Sequence, residues 1–259
     1  MKALLPSLLA FLSSFAPLSA AIVEQPLEYK SGDVLCEGWQ AYDDAVAGKR
    51  PGVLVVHQWT GISDHEKAAA RKLAALGYNV LVADIYGKGV RPQPPAAGKE
   101  AGKYKGNRPL LRSRVNAALD VLSRDARTDA SKLAATGYCF GGTTVLELAR
   151  SGAALKGVVS FHGGLDSPAP ADGKNIKARV LALHGADDPF VPAKDVVAFE
   201  AEMKSAGVDY KLVKYPGAVH SFTHKEAGTD NAKGAAYNAD ADRDSWFQMQ
   251  EFLKRAFGR

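Results

Sequence analysis

A cysteine set among glycines, Gly137-Tyr138-Cys139-Phe140-Gly141-Gly142, is where residue types and spacing in this chain first point to chemistry. Residues 132–136 ahead of it can form a short buried strand. Residues 143–150 behind it have helical spacing, with Val145, Leu148 and Ala149 on one face. A strand that turns sharply into a helix exposes the side chain at the apex, and small neighbours let helix and strand pack closely. A thiol at that apex feels the positive end of the helix dipole, which favours thiolate. The chemistry to expect is nucleophilic attack by sulfur, which requires a base in hydrogen-bond reach and an acid to orient the base. Of the six histidines, His220 lies in Tyr215-Pro216-Gly217-Ala218-Val219-His220-Ser221-Phe222, a loop just after the last predicted strand. Its Gly and Pro shape a turn, and no apolar periodicity assigns the ring to a core. For the acid, His184-Gly185-Ala186-Asp187-Asp188-Pro189 supplies Asp188 ahead of a turn-fixing proline, with Asp187 as its close rival.

The elements that must position these groups alternate along the chain. Residues 28–42 alternate enough for a two-stranded antiparallel entry. Residues 52–56 are a continuous apolar run, the pattern of a strand buried on both faces. A loop over 57–61 follows, and Ser63 or Asp64 caps a helix carrying Ala68, Leu73 and Leu76 that stops at Gly77. Residues 78–83 read as the next strand, 110–122 as a helix, and 157–161, 178–183 and 210–215 as further strands. Helices are expected over 193–206 and 241–257. The stretch 87–108, rich in Gly, Pro and Lys, reads as a long surface loop bordering a site. This alternation predicts an α/β fold with a mostly parallel central sheet and helices on both faces. Ligands in such sheets bind beyond the C-terminal strand ends.

Nucleophile, then acid, then histidine is the chain order of α/β-hydrolases. With its segments at 137–142, 184–192 and 217–222, the chain resembles the dienelactone hydrolase family of that fold, over nearly all its length from the strand before His57. The resemblance implies a Cys139–His220–Asp188 triad that opens an ester or lactone through a thioester. It also implies an oxyanion hole from the backbone N–H groups of Phe140 and Trp59. The family's activating glutamate corresponds to Gln58, which cannot take a proton. Its two carboxylate-holding arginines correspond to Lys88 and His224, with Arg91 nearby as a substitute. Hydrolysis is thus better supported than dienelactone as the substrate, and thioesterase or broad carboxylesterase activity stands as the alternative. His162-Gly163-Gly164 looks like a lipase oxyanion segment but follows the nucleophile, so it reads as a strand-end turn.

Residues 1–21 read as a signal peptide: Met1-Lys2, a mostly apolar run broken by Pro6 and Pro17, then Ser19-Ala20-Ala21. One domain over 22–259 is then expected in the periplasm or outside the cell. The net charge of +5 comes from spread residues, so neither nucleic acid nor membrane is an expected partner. A monomer acting on a small-molecule ester or lactone is expected. In an oxidising compartment Cys36 and Cys139 either form a disulfide or leave Cys139 free for chemistry, with Cys36 buried in a strand; the second is preferred. A disulfide would suit the rival reading, a non-catalytic binding protein on a hydrolase scaffold. No zinc spacing, phosphate cradle or dinucleotide fingerprint occurs, so neither metal nor cofactor is expected. Asp240, Asp242, Asp244 and Glu251 mimic a calcium loop, but Ser245 stands where Gly is needed. Trp246, Phe247, Met249, Leu253 and Phe257 fit a buried helical face there instead.

Overall fold

The computed structural model describes residues 21–258. The leader expected over residues 1–21 lies outside them apart from its last residue. One sheet holds β1 (Ile22–Ser31), β2 (Val34–Asp43), β3 (Arg50–Val56), β4 (Asn79–Ala83), β5 (Thr128–Tyr138), β6 (Gly157–Phe161), β7 (Arg179–Gly185) and β8 (Tyr210–Tyr215). Their order in space is β1-β2-β4-β3-β5-β6-β7-β8. The β1–β2 and β2–β4 pairs are antiparallel and every later pair is parallel. From β3 the chain winds to one side through β4 and then to the other through β5. The carboxyl ends of β3 and β5 therefore flank the switch point, where a ligand crevice opens.

All seven residues of β3 are buried, as expected for a continuous apolar run. Val53 and Val55 face one core with helices α1 (Asp64–Ala75) and α6 (Ala239–Ala256). Leu54 and Val56 face the other, formed with α2 (Ala96–Lys105), α3 (Arg108–Arg124), α4 (Phe140–Arg150) and α5 (Ala193–Ser205). The period-2 pleat divides one apolar run between two cores.

Helix α2 corrects the expectation of a loop over 87–108. Its Gly98 and Gly102, behind the prolines at 92, 94 and 95, give it a loop-like composition. Yet Ala97, Ala101 and Tyr104 recur at helical spacing and are buried. Their packing outweighs a glycine cost of roughly 1 kcal/mol each. Ser63 is the N-cap of α1, forming a capping box with Glu66. In α6 the first-turn acids are Asp240 and Asp242 behind an Asn238 cap. Met249, Leu253 and Phe257 are buried, whereas Phe247 is exposed on the opposite side.

Helix α4 is buried at every position, so its two charged residues need partners. The Arg150 guanidinium reaches Glu202 through Nε at 2.9 Å and Nη2 at 2.6 Å, and Glu147 through Nη1 at 3.0 Å. Arg112 bonds Glu147 at 2.8 Å and Asp172 at 2.7 Å, closing the network. This locks the far end of α4 to α5. Removing the guanidinium would leave the buried Glu202 carboxylate without its cation and Glu147 with Arg112 alone, so Arg150→Leu is expected to lose about 3–5 kcal/mol in urea unfolding.

Candidate active site

A single residue, Cys139, separates β5 from α4, and its φ of 53° lies in the left-handed region. Glycines make the close turn possible. A Cβ at Gly141 would stand 2.2 Å from the Val56 carbonyl oxygen, and one at Gly137 2.2 Å from the Gly141 oxygen. Gly137 has an ordinary φ, so its role is close approach and not the bend itself. The Cys139 N–H donates to the Phe161 carbonyl at 3.0 Å and to His162 Nδ1 at 3.2 Å.

The structure brings Cys139, His220 and Asp188 into one hydrogen-bonded chain. His220 Nε2 lies 3.0 Å from Cys139 Sγ, and Nδ1 lies 2.8 Å from Asp188 Oδ2. Asp188 is buried, and its Oδ1 accepts the Phe190 N–H at 2.8 Å. The rival Asp187 is exposed and accepts the Gly217 N–H at 3.0 Å instead. The His220 backbone is held on both sides: its N–H donates to Gly234 O at 3.1 Å, and its carbonyl accepts from Ala236 at 3.0 Å.

Electrostatics favour the charged pair. Burial alone pushes the Cys139 thiol up, but the His220 imidazolium, its hydrogen bond, the Phe140 N–H and the Lys105 ammonium together bring it below its ordinary value. Burial likewise disfavours a charged His220, yet the Cys139 sulfur and Asp188 raise it to about 10. The two shifts describe one coupled pair, in which each group favours the charged form of the other. Cys36 is the contrast. It is a free thiol fully buried in β2, and burial, then the Asp84 carboxylate, push it up to about 11.

Phe140 is the first residue of α4, so its N–H has no partner within the helix and is directed to the sulfur. Across the cleft, the Gln58 carbonyl accepts from His57 Nδ1 at 2.6 Å and from Gly61 N at 3.3 Å. In a trans peptide this turns the Trp59 N–H away from His57. His57 Nε2 accepts the Ile85 N–H at 3.2 Å, and burial holds the ring neutral. The cleft at Cys139 has a volume of about 400 Å³, walled by Trp59, Phe140, Phe190, Val191, Ala235 and Lys105.

None of Gln58, Lys88, Arg91 and His224 lines that cleft. The Gln58 amide faces His224 Nδ1 at 3.4 Å, and the same Nδ1 lies 3.4 Å from Glu226. Lys88 is engaged by Glu28 and, at 3.4 Å, by Glu37. Arg91 is spent on Asp84 at 3.4 Å and on the Glu37 carbonyl at 3.2 Å. The cation on the cleft wall is Lys105, which has no carboxylate partner among the described residues. Sequence hides it because it ends α2, inside the stretch that reads as a loop. Its readable signal is the 97, 101, 104 apolar spacing that ends beside it.

A family model described as the dienelactone hydrolase family matches residues 37–257. A Methylorubrum extorquens protein named "Putative carboxymethylenebutenolidase" is 28% identical over 222 residues, covering 82% of this chain and 74% of its own. A Bradyrhizobium protein named "Probable 2-oxo-3-(5-oxofuran-2-ylidene)propanoate lactonase" is 31% identical over 188 residues, covering 68% and 75%. The crystal structure of a dienelactone hydrolase-like promiscuous phosphotriesterase from metagenomic libraries superposes with a TM-score of 0.87 at 38% identity, covering 92% of this chain and 100% of its own.

The pairing of Cys139 with His220 sets a measurable order of thiol reactivity. Iodoacetamide at pH 7 is expected to add one adduct, at Cys139, and to leave the buried Cys36 untouched, as read by intact mass and peptide mapping. In His220→Gln the imidazolium is gone and burial raises the thiol. Alkylation at pH 7 should then slow by at least about tenfold and recover only as pH rises past the ordinary thiol range.

Proposed function

The chain belongs to the dienelactone hydrolase family and is a hydrolase, and from that premise we propose that it cleaves a carboxylic ester or lactone through a thioester on Cys139. The observation that carries this reading is the sulfur–imidazole–carboxylate chain, with contacts of 3.0 and 2.8 Å, at a one-residue turn open to an apolar cleft.

The substrate carbonyl sits between the Trp59 and Phe140 N–H groups. The Cys139 thiolate adds to its carbon, and the carbonyl electron pair moves to an oxyanion held by those two donors. As the intermediate collapses, the C–O bond breaks and His220 Nε2–H protonates the departing alkoxide. An ester releases an alcohol; a lactone keeps the new hydroxyl on the acyl chain. His220, now neutral, takes a proton from water as its oxygen attacks the thioester. A second collapse returns the thiolate and the imidazolium and releases the acid. Asp188 keeps Nδ1 protonated and the ring in plane throughout.

The same reading assigns Lys105 to a substrate carboxylate. The names of the Methylorubrum and Bradyrhizobium relatives specify carboxylate-bearing lactones. Lys88 and Arg91 are neutralised elsewhere, which leaves Lys105 as the cation of the cleft. The signal-like residues 1–21 support a working site outside the cytoplasm.

Two kinetic outcomes test the proposal. Cys139→Ala should lower kcat on activated esters and lactones by about 10³-fold or more, and full activity in that variant would reject the cysteine route. Lys105→Gln should raise KM roughly fivefold for a carboxylate-bearing lactone and leave a neutral ester unchanged. A panel that includes thioesters and plain carboxylic esters sets the acyl preference.

A further inference from the structure

His162 is fully buried at the end of β6, is not part of the cleft wall, and yet touches both halves of the site. Its Nδ1 accepts the backbone N–H of Cys139 at 3.2 Å. Its Nε2 lies 2.9 Å from Thr223 Oγ1, in the loop that carries His220. Because Nδ1 is an acceptor, the proton of the neutral ring is on Nε2, which donates to the threonine hydroxyl. The ring also stands edge-on to His220, with centroids 5.3 Å apart, and to Phe222 at 5.1 Å.

We infer that His162 is a positioning residue that ties the nucleophile's turn to the base's loop and so sets the distance between Cys139 Sγ and His220 Nε2. The inference rests on the reading of Cys139 as nucleophile given above. Backbone geometry supports it independently. Among the described residues, the non-glycine residues with positive φ are Cys139 at 53°, His162 at 39° and Ser221 at 57°. Such conformations persist only where the surroundings over-determine them. These three lie in the three loops that the imidazole joins. Sharing the Cys139 N–H with the Phe161 carbonyl, which accepts it at 3.0 Å, the ring steadies the peptide plane before the nucleophile, and with it the direction of the sulfur. Holding Thr223 anchors the segment from His220 to Thr223, which includes the strained Ser221. The network works only with a neutral ring. Burial, together with His220, His65 and His224 around it, holds His162 well below its ordinary value.

The test compares wild type, Cys139→Ala, His162→Phe, His162→Asn and Thr223→Val, each checked for folding by circular dichroism and thermal melting. The readouts are kcat, KM, and the thiolate titration followed by ultraviolet absorbance. His162→Phe fills the space without either hydrogen bond. It is expected to lower kcat by roughly 10- to 100-fold at nearly constant KM and to move the thiolate midpoint upward, because the sulfur and imidazole lose register. His162→Asn restores an acceptor near the Nδ1 position and tolerates positive φ, so it should recover part of both losses. Thr223→Val cuts only the link to the base loop and should give a smaller change of the same sign. A merely structural role predicts lower melting temperatures with unchanged kcat and thiolate midpoint in the folded fraction. Wild-type values in Thr223→Val and His162→Asn, with Cys139→Ala inactive, would overturn the inference and leave the proposed function standing. Full activity in Cys139→Ala would overturn the nucleophile assignment instead. If His162→Phe does not fold, Thr223→Val and His162→Asn decide the matter.

Discussion

The approach of helix α4 to the ends of β3 and β5 is the constraint from which the site follows. At Gly141 there is no room for even a methyl group beside the Val56 carbonyl, and at Gly142 a Cβ would stand 2.6 Å from Ser160 Oγ. Only because those positions are glycine can the helix begin one residue after the strand ends. That leaves Cys139 in a conformation it would not adopt alone, with its sulfur beyond the sheet and over the helix N-terminus. The other end of α4 is held by the buried Arg150 pairs with Glu147 and Glu202. A helix fixed at both ends is a rigid base for the residue at its N-terminus.

The two cysteines show what that placement does to a thiol. Cys36 is fully buried and Cys139 half-buried at the cleft, and loss of hydration raises both. Cys36 has no cation beside it that can reverse the trend, so it remains an inert thiol packed in β2. At Cys139 the imidazolium, a helix N–H and a nearby ammonium act together and overcome the same penalty. Each member of the pair is perturbed in the direction that stabilises the other, as expected of groups tuned for a reaction. Gln58 bears on this point. It cannot take a proton, and its amide faces His224 at 3.4 Å. On the proposed reading, His220, 3.0 Å from the sulfur, supports the thiolate in place of a carboxylate in that loop.

Much of this is legible in the amino-acid order, for definable reasons. The elbow can be read because glycines at 137, 141 and 142, between a strand and a helix, mark a place where two backbones must nearly touch. Asp188 and His220 can be read because they fall at strand ends in a recurring order. The strand over 210–215 matches β8 because its flanking turn residues mark both ends. Helix α2 is not legible, since glycines and neighbouring prolines disguise a narrow apolar stripe whose value appears only against Tyr86 and the α3 face. Lys88, Arg91 and Lys105 are all cations of similar reach. What separates them is whether a carboxylate is already beside them, and that depends on pairings as distant as Glu28 with Lys88. A strand-end turn at His162 matches the chain path. The direction of its ring is not encoded in any local pattern.

These hidden features share a cause. Local spacing reports which face of an element is buried, and so it finds the strands and the turn that present reactive groups. It does not report which of several buried histidines is held as a donor and which as an acceptor. His57 donates from Nδ1 to the Gln58 carbonyl and accepts at Nε2, whereas His162 accepts at Nδ1 and faces Thr223 with Nε2. Burial makes both rings neutral, and a neutral ring can satisfy one donor and one acceptor at once. The pair therefore fixes opposite walls of the same cleft, one through the peptide before Trp59 and the other through the peptide before Cys139. A lysine at either position could only donate, and an asparagine, though planar with a donor and an acceptor, has both on one carbon and a shorter span than the two ring nitrogens that bridge two loops here. On the proposed reading, the oxyanion donors and the sulfur are thus held by imidazoles that take no part in the chemistry, while the third imidazole, His220, is raised and charged to perform it.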